Sequence, residues 1–365
     1  MLEKSFFSIV KFQYSAKLAR RMGLSDLKTK KVKMKVGVIG YGYWGPNIVR
    51  NFSMHPECEV VCIAETREDR SNVAKRACPT ATLVQKHEEL IADPNVEAVA
   101  ICTPVSTHYE LAKACLLNGK HVLVEKPLAT CSEEAKELIE LAESKGLCLL
   151  VDYTFLYTGA VRKVHELLRN GKLGSINYID STRINLGIYQ TDVNVLWDLA
   201  THDLSIIYHL LSERPESLQA IGAIHPESGT EHIAYLTLHY PSGMLVHLNC
   251  SWASPVKIRQ MIFGGSEKMV IYDDIEPSNK LKIYDYSASE PSDEERRNTL
   301  VDYRLGEVRI PKFPLTEALS VMVEDFYQTI HGESPYYRPD MSLNIIRTLM
   351  KADESLRNEG KRISL

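Results

Sequence analysis

From Lys35 onward the chain alternates two kinds of pattern. Short continuous apolar runs ("KVGVIG", "CEVVCIAE", "VEAVAICTP", "HVLVEKP", "LCLLVDY") are separated by stretches in which apolar positions recur every three or four residues. The second kind includes "PNIVRNFSM", "REDRSNVAKRA", "HEELIADP", "STHYELAKACLLNG" and "SEEAKELIELAESKG". Gly119 stops one of these predicted helices, and Ser132 and Gly146 bound another. A strand that is apolar at every position is buried on both faces. The alternation therefore predicts a parallel sheet covered by helices on each side, a doubly wound α/β domain over 34–155.

The rhythm changes near residue 155. A helix, "AVRKVHELLRNG", leads into the strand "INYIDSTRIN", and a second helix follows in "VLWDLATHDLSIIYHLL". The strands "LQAIGAI", "HIAYLTLHY", "MLVHLNCSWA", "IRQMIFGG" and "KMVIYDD" come next, two of them joined by the turn "PSG". Residues 286–300 are polar and read as an excursion at the rim. Two helices, "LTEALSVMVEDFYQTIHG" and "SLNIIRTLMKADESLRNEG", close the chain. This predicts a second, α+β domain over 156–365 with a largely antiparallel open sheet. In "HIAYLTLHY", Ile233 and Tyr235 point opposite to Ala234, Leu236 and Leu238, so both faces are partly apolar. Helices would cover one face. A second copy of the chain, in a homodimer or homotetramer, would cover the other.

Length and charge narrow the picture. The 365 residues exceed one ordinary core, and the net charge of −4 gives no field that would attract nucleic acid. No apolar run approaches the roughly 20 residues of a membrane helix. The first 35 residues carry an excess of +8, from ten Lys/Arg against Glu3 and Asp26. Residues 1–33 read as a disordered basic arm, a targeting segment, or translated sequence upstream of the true start, since Met34 sits immediately before the first predicted strand. The last reading is preferred. Eight cysteines, with no CxxC pair and no His at metal-ligand spacing, fit reduced thiols in a cytoplasmic protein and no metal site.

The chemistry concentrates at three places. Gly40, Gly42 and Gly45 form GxGxxG between a predicted strand and a predicted helix, the dinucleotide fingerprint of a Rossmann domain. Gly40 permits the turn, Gly42 admits the pyrophosphate, Gly45 lets helix and strand approach, and the phosphates meet a helix N-terminus. Glu65, at the end of the second strand, suits the adenosine ribose and disfavours a 2′-phosphate, which selects NAD. Arg67 and Arg70 nearby leave NADP admissible. Lys126, in "VEKPL", stands at the strand end where such sheets bind ligands. Asp198 and His202, in "WDLATHDLS", are four apart on a predicted helix and share a face, so the carboxylate could orient the imidazole of a general base. The same spacing suits a surface ion pair or a core histidine among Trp197, Leu199 and Ile206, and the helix alone does not decide.

Together these motifs resemble the glucose–fructose oxidoreductase, inositol dehydrogenase and MocA family, over about residues 34–365. "GYGYWGPNIVRNF" and "VNVLWDLATHDLSI" look most like members acting on nucleotide-linked sugars, such as UDP-N-acetylglucosamine and its uronate. The resemblance implies an oxidoreductase in which Lys126 contacts nicotinamide and the reacting hydroxyl, with a Lys–Pro bond that is often cis. His202 would take the hydroxyl proton and Asp198 would orient it. Glu125 and Pro127 flank Lys126 at the cofactor. Thr103, Pro104 and His108 would line the nicotinamide ribose, and Tyr43 and Trp44 would offer amides to the pyrophosphate. Arg183 and Asn194 are implied substrate contacts. Glu65 departs from the common Asp, and Gly159 from a common proline. Two alternatives stand beside this reading: a dehydrogenase of free inositol or monosaccharide, and a sensor that keeps the fold without chemistry.

Overall fold

The computed structural model describes residues 33–187, 189–191, 193–285, 307–333, 336 and 338–365. The readings made for the basic extension up to residue 32 and for the polar stretch 286–300 fall outside the described residues.

Six strands, β1 (Met34–Ile39), β2 (Cys58–Ala64), β3 (Thr82–Val84), β4 (Ala98–Ile101), β5 (His121–Glu125) and β6 (Leu149–Asp152), form one parallel sheet in the order β3-β2-β1-β4-β5-β6. The order reverses between β1 and β4, which opens a crevice at the carboxyl ends of those strands. Helices α1 (Gly45–Met54), α2 (Glu68–Ala77), α3 (His87–Ala92), α4 (His108–Leu117) and α5 (Ser132–Lys145) connect the strands. The strand centres are apolar because both faces are covered: Val36, Val38, Ile63, Val99, Val122 and Val124 are all fully buried. Helix α5 ends on Gly146, left-handed at φ 64°. The three-residue β3 was not anticipated, because "TLV" is too short to display a period.

After α6 (Gly159–Arg169), the strands β7 (Ile176–Leu186), β8 (Ser217–Ile224), β9 (Glu231–His239), β10 (Leu245–Ser251), β11 (Ala253–Gly265), β12 (Lys268–Asp273), β13 (Leu281–Asp285), β14 (Val308–Arg309) and β15 (Ile363–Ser364) form a second sheet. Its order is β14-β13-β12-β11-β7-β10-β9-β8-β15, and β7 with β10 is its parallel pair. The alternation read in β9 is realised. Ala234, Leu236 and Leu238 are buried, while Tyr235 shares an open face with Ile221, Leu245 and Tyr178. Strands β13, β14 and β15 were not anticipated from the sequence.

Three helices join the lobes. Helix α7 (Thr201–Leu210) continues a π-helical turn over Leu196–Ala200. Helix α8 (Ala318–Ile330) returns to α1, with Phe326 edge-on to Phe52 at 6.0 Å and Glu324 3.0 Å from the His55 ring. Helix α9 (Pro339–Arg357) lies against β8, α5 and α7. All eight cysteines are free thiols.

Candidate active site

The glycine turn is built as its spacing requires. Gly40 sits at φ +93°, a conformation that L side chains rarely adopt. A Cβ on Gly45 would lie 2.3 Å from the Gly40 carbonyl oxygen, so only glycine allows α1 to start there. Among the described residues, the amides of Gly42, Tyr43 and Trp44 meet no main-chain acceptor, which suits an anion at this helix N-terminus. Tyr43 is 90% exposed, and the Trp44 indole is anchored to Asp152 at 2.7 Å. Glu65 is buried; its carboxylate accepts from the amides of Tyr41 (2.7 Å) and Arg67 (2.9 Å). It therefore braces the turn, and only its remaining lone pairs are available to a ribose. The Arg67 guanidinium lies 3.7 Å from where a Gly42 Cβ would be, alongside the same turn. These features fit a dinucleotide.

His108 departs from the expected role of lining the cofactor. It is buried, with Nδ1 2.8 Å from the Pro127 carbonyl and Nε2 2.9 Å from the Thr103 carbonyl. It lies between the loops after β4 and β5; burial lowers its pKa, and the neutral ring donates to one of the two carbonyls. Lys126 follows β5, with its bond to Pro127 cis. Beside it, Glu125 and Asp152 are paired positions on β5 and β6. Burial and the Asp152 charge raise the Glu125 pKa well above the carboxylate range.

The Lys126 ammonium crosses to the second lobe. Nζ donates to the Asp198 main-chain oxygen at 3.1 Å and to Asp198 Oδ1 at 3.3 Å. The Trp252 indole donates to Asp198 Oδ2 at 3.0 Å. Asp198 thus does not orient His202, contrary to expectation. The physical reason is the π turn over Leu196–Ala200, which winds more residues per turn than an α-helix, so a spacing of four no longer stacks two side chains.

His202 Nδ1 is buried without a partner, and its ring meets Phe155 edge-on at 4.9 Å. Burial first, then the charges of Lys126, Arg183 and Arg259, push its pKa well below the usual value, so the imidazole is neutral. Arg183 is not free to grip a substrate. Its Nε and Nη2 donate to Asp203 Oδ1 at 2.9 and 2.6 Å in a buried pair. Asn194 caps the turn through Oδ1, which accepts from Leu196 and Trp197, and its amide donates to Asp353 at 2.8 Å.

A cavity of about 570 Å³ opens between the lobes. Pro104, Lys126 and Pro127 form its wall from the first lobe; Asn194, Trp197, Asp198, Glu231, Asp353 and Arg357 are among its residues from the second. His202 is not part of that wall, and the Lys126 charge acts on its ring. Trp252, Phe155, Asp353 and Arg357 were missed, since each carries no motif and is defined only by what it touches.

Residues 34–153 match the model of an oxidoreductase family with an NAD-binding Rossmann fold, and residues 161–271 match the GFO/IDH/MocA C-terminal domain. The chain belongs to the Gfo/Idh/MocA family. It is 27% identical to UDP-N-acetylglucosamine 3-dehydrogenase of Acidithiobacillus ferrooxidans over 84% of this chain and 91% of that one. With myo-inositol 2-dehydrogenase of Thermotoga maritima it shares 26% identity over 66% of this chain and 72% of that one. The solved structure of the Acidithiobacillus ferrooxidans enzyme superimposes with a TM-score of 0.75 at 22% identity, covering 90% and 99% of the two chains. This Gfo/Idh/MocA chain is thus an NAD-binding oxidoreductase of a family of sugar dehydrogenases. No helix among the described residues is long and apolar enough to cross a membrane.

Proposed function

We propose that this enzyme moves a hydride between a secondary alcohol of a nucleotide-linked sugar and NAD. The observation that carries the reading is the Lys126–Asp198 contact, which joins the two lobes on the wall of the cavity. NAD, when bound, supplies the hydride acceptor. Lys126 stabilises the negative charge that develops on the reacting oxygen, and Asp198, fixed by Trp252, holds that ammonium in place. His202, kept neutral by burial and by the Lys126 charge, receives the hydroxyl proton as the carbon-bound hydrogen leaves. The cavity falls within the range of about 300–1,000 Å³ usual for small-molecule and cofactor sites, and the relative named for UDP-N-acetylglucosamine supports a nucleotide-linked substrate.

The exposed row Tyr178, Ile221, Tyr235 and Leu245 supports assembly of two copies through the open face of the second sheet. The relative named for myo-inositol favours a second reading, a free cyclitol as substrate. A panel of UDP-, dTDP- and GDP-sugars beside free cyclitols, read by NADH absorbance in both directions, tests the proposal. Turnover confined to free cyclitols would replace it with the second reading. Ligand-dependent partner binding with no turnover of any member would make the protein a sensor.

A further inference from the structure

The charged residues on the cavity wall are not equally occupied. Lys126 and Asp198 hold each other. Asp353 accepts from the Trp197 indole at 2.8 Å on Oδ2 and from the Asn194 amide at 2.8 Å on Oδ1, so both its oxygens are engaged. Arg357 lies four residues after Asp353 on α9, the spacing at which a carboxylate and a guanidinium usually pair on a helix. Asp353 is turned toward Asn194 and Trp197, so no close ion pair forms, although the Arg357 charge still acts on that carboxylate. The neighbouring acid on the same turn, Glu354, is taken by Lys351 at 2.8 Å. Arg357, exposed at the last position of α9, lines the cavity with Asp353, Leu356 and Glu231 and makes no hydrogen bond or ion pair among the described residues.

A guanidinium presents a planar fork of donors that matches the oxygens of phosphate and carboxylate. The Glu231 carboxylate also lines the cavity, makes no hydrogen bond or ion pair among the described residues, and can accept only from donors such as sugar hydroxyls. The two groups together ask for a ligand that is polyhydroxylated and anionic. Of the two anionic groups such a ligand can carry, a diphosphate fits the place better. The reacting carbon belongs at Lys126, Arg357 lines the same cavity from a different element, and the substrate class proposed above carries a diphosphate beside its sugar.

We infer that Arg357 binds the diphosphate of a nucleotide-linked substrate and sets the preference for such substrates over free sugars. The inference rests on the proposed reading of the substrate class. It is tested with the full chain and its Arg357→Gln and Arg357→Lys variants, by calorimetric titration with UDP and with glucuronate, and by steady-state kinetics with UDP-N-acetylglucosamine. Arg357→Gln is expected to weaken UDP binding and raise KM about 10- to 100-fold, the worth of one charge-assisted contact, while kcat stays within about twofold. Arg357→Lys should fall between, since it keeps the charge and loses the fork. Unchanged UDP binding in Arg357→Gln would overturn the inference and leave the nucleotide-sugar reading standing, as would a loss confined to glucuronate. Failure of the wild-type protein to bind UDP, with turnover of free cyclitols, would overturn both.

Discussion

Two ion pairs lie five residues apart on one helical segment and differ in nearly every respect. Arg183–Asp203 is sealed, with side chains 3% and 2% exposed, and one carboxylate oxygen takes two guanidinium donors at 2.9 and 2.6 Å. Lys126–Asp198 faces the cavity, with side chains 15% and 27% exposed and a longer contact of 3.3 Å. The first joins β7 to α7 inside the second lobe; the second joins the two lobes. A buried pair cannot exchange partners without stranding a charge. An ammonium at a cavity wall can turn toward a substrate oxygen and back. The arginine is framework, and the lysine is where the proposed chemistry would take place.

The largest effect that separates them is on stability. Arg183→Met strands Asp203 in the core of the second lobe, and thermal or denaturant unfolding should show a loss of about 3–5 kcal/mol. If Arg183 instead gripped the substrate, the variant would keep its Tm and raise KM, and the comparison would fail.

Next comes activity. Lys126→Met should leave Tm nearly unchanged and reduce turnover about 10²–10³-fold, the usual effect of removing one donor to a developing oxyanion. It should also move a pH profile. The His202 pKa is lowered by burial and then by Lys126, so the proton acceptor in the wild type stays neutral well below the ordinary histidine range. The acid limb of kcat/KM for alcohol oxidation should accordingly lie well below about pH 6.5, and in Lys126→Met it should shift upward. His202→Asn should cost at least about 100-fold and abolish that limb. Full turnover in His202→Asn would transfer the proton to the Lys126–Asp198 pair.

The asymmetry between the two pairs also marks what the sequence could disclose. The first lobe was legible because its determinants are local: continuous apolar strands, helical spacing, and glycines whose need for positive φ or close approach is set by adjacent residues, as at Gly40 and Gly45. The place of Lys126 at the end of β5 was legible for the same reason, while its role belongs to the proposal. The roles of Asp198, Arg183 and His108 depend on partners brought in by tertiary packing. Asp203 lies across the sheet–helix interface from Arg183, and the Thr103 and Pro127 carbonyls close on His108 from two loops. A π turn that shifts Asp198 out of line with His202 has no signature in "WDLATH". The residues could be named from the sequence, but not whom they hold.

The smallest effect tests how firmly the cavity pair is held. Trp252 donates to Asp198 Oδ2, the oxygen that Lys126 does not use, so the indole fixes the rotation of the carboxylate. Trp252→Phe keeps an aromatic ring against Tyr189 and removes only the donor. One hydrogen bond to a charged group is worth about 1.5–3 kcal/mol, and the free carboxylate can recover part of that from water in the cavity. A fall in kcat of about tenfold is expected, with little change in KM because the indole touches the carboxylate rather than the cavity interior. A structural role alone would lower Tm and leave kcat per folded molecule intact. The decisive measurement is a cycle with Asp198→Asn: if Trp252 acts by positioning Asp198, the double variant should be hardly slower than Asp198→Asn alone, whereas additive losses would assign the indole to packing.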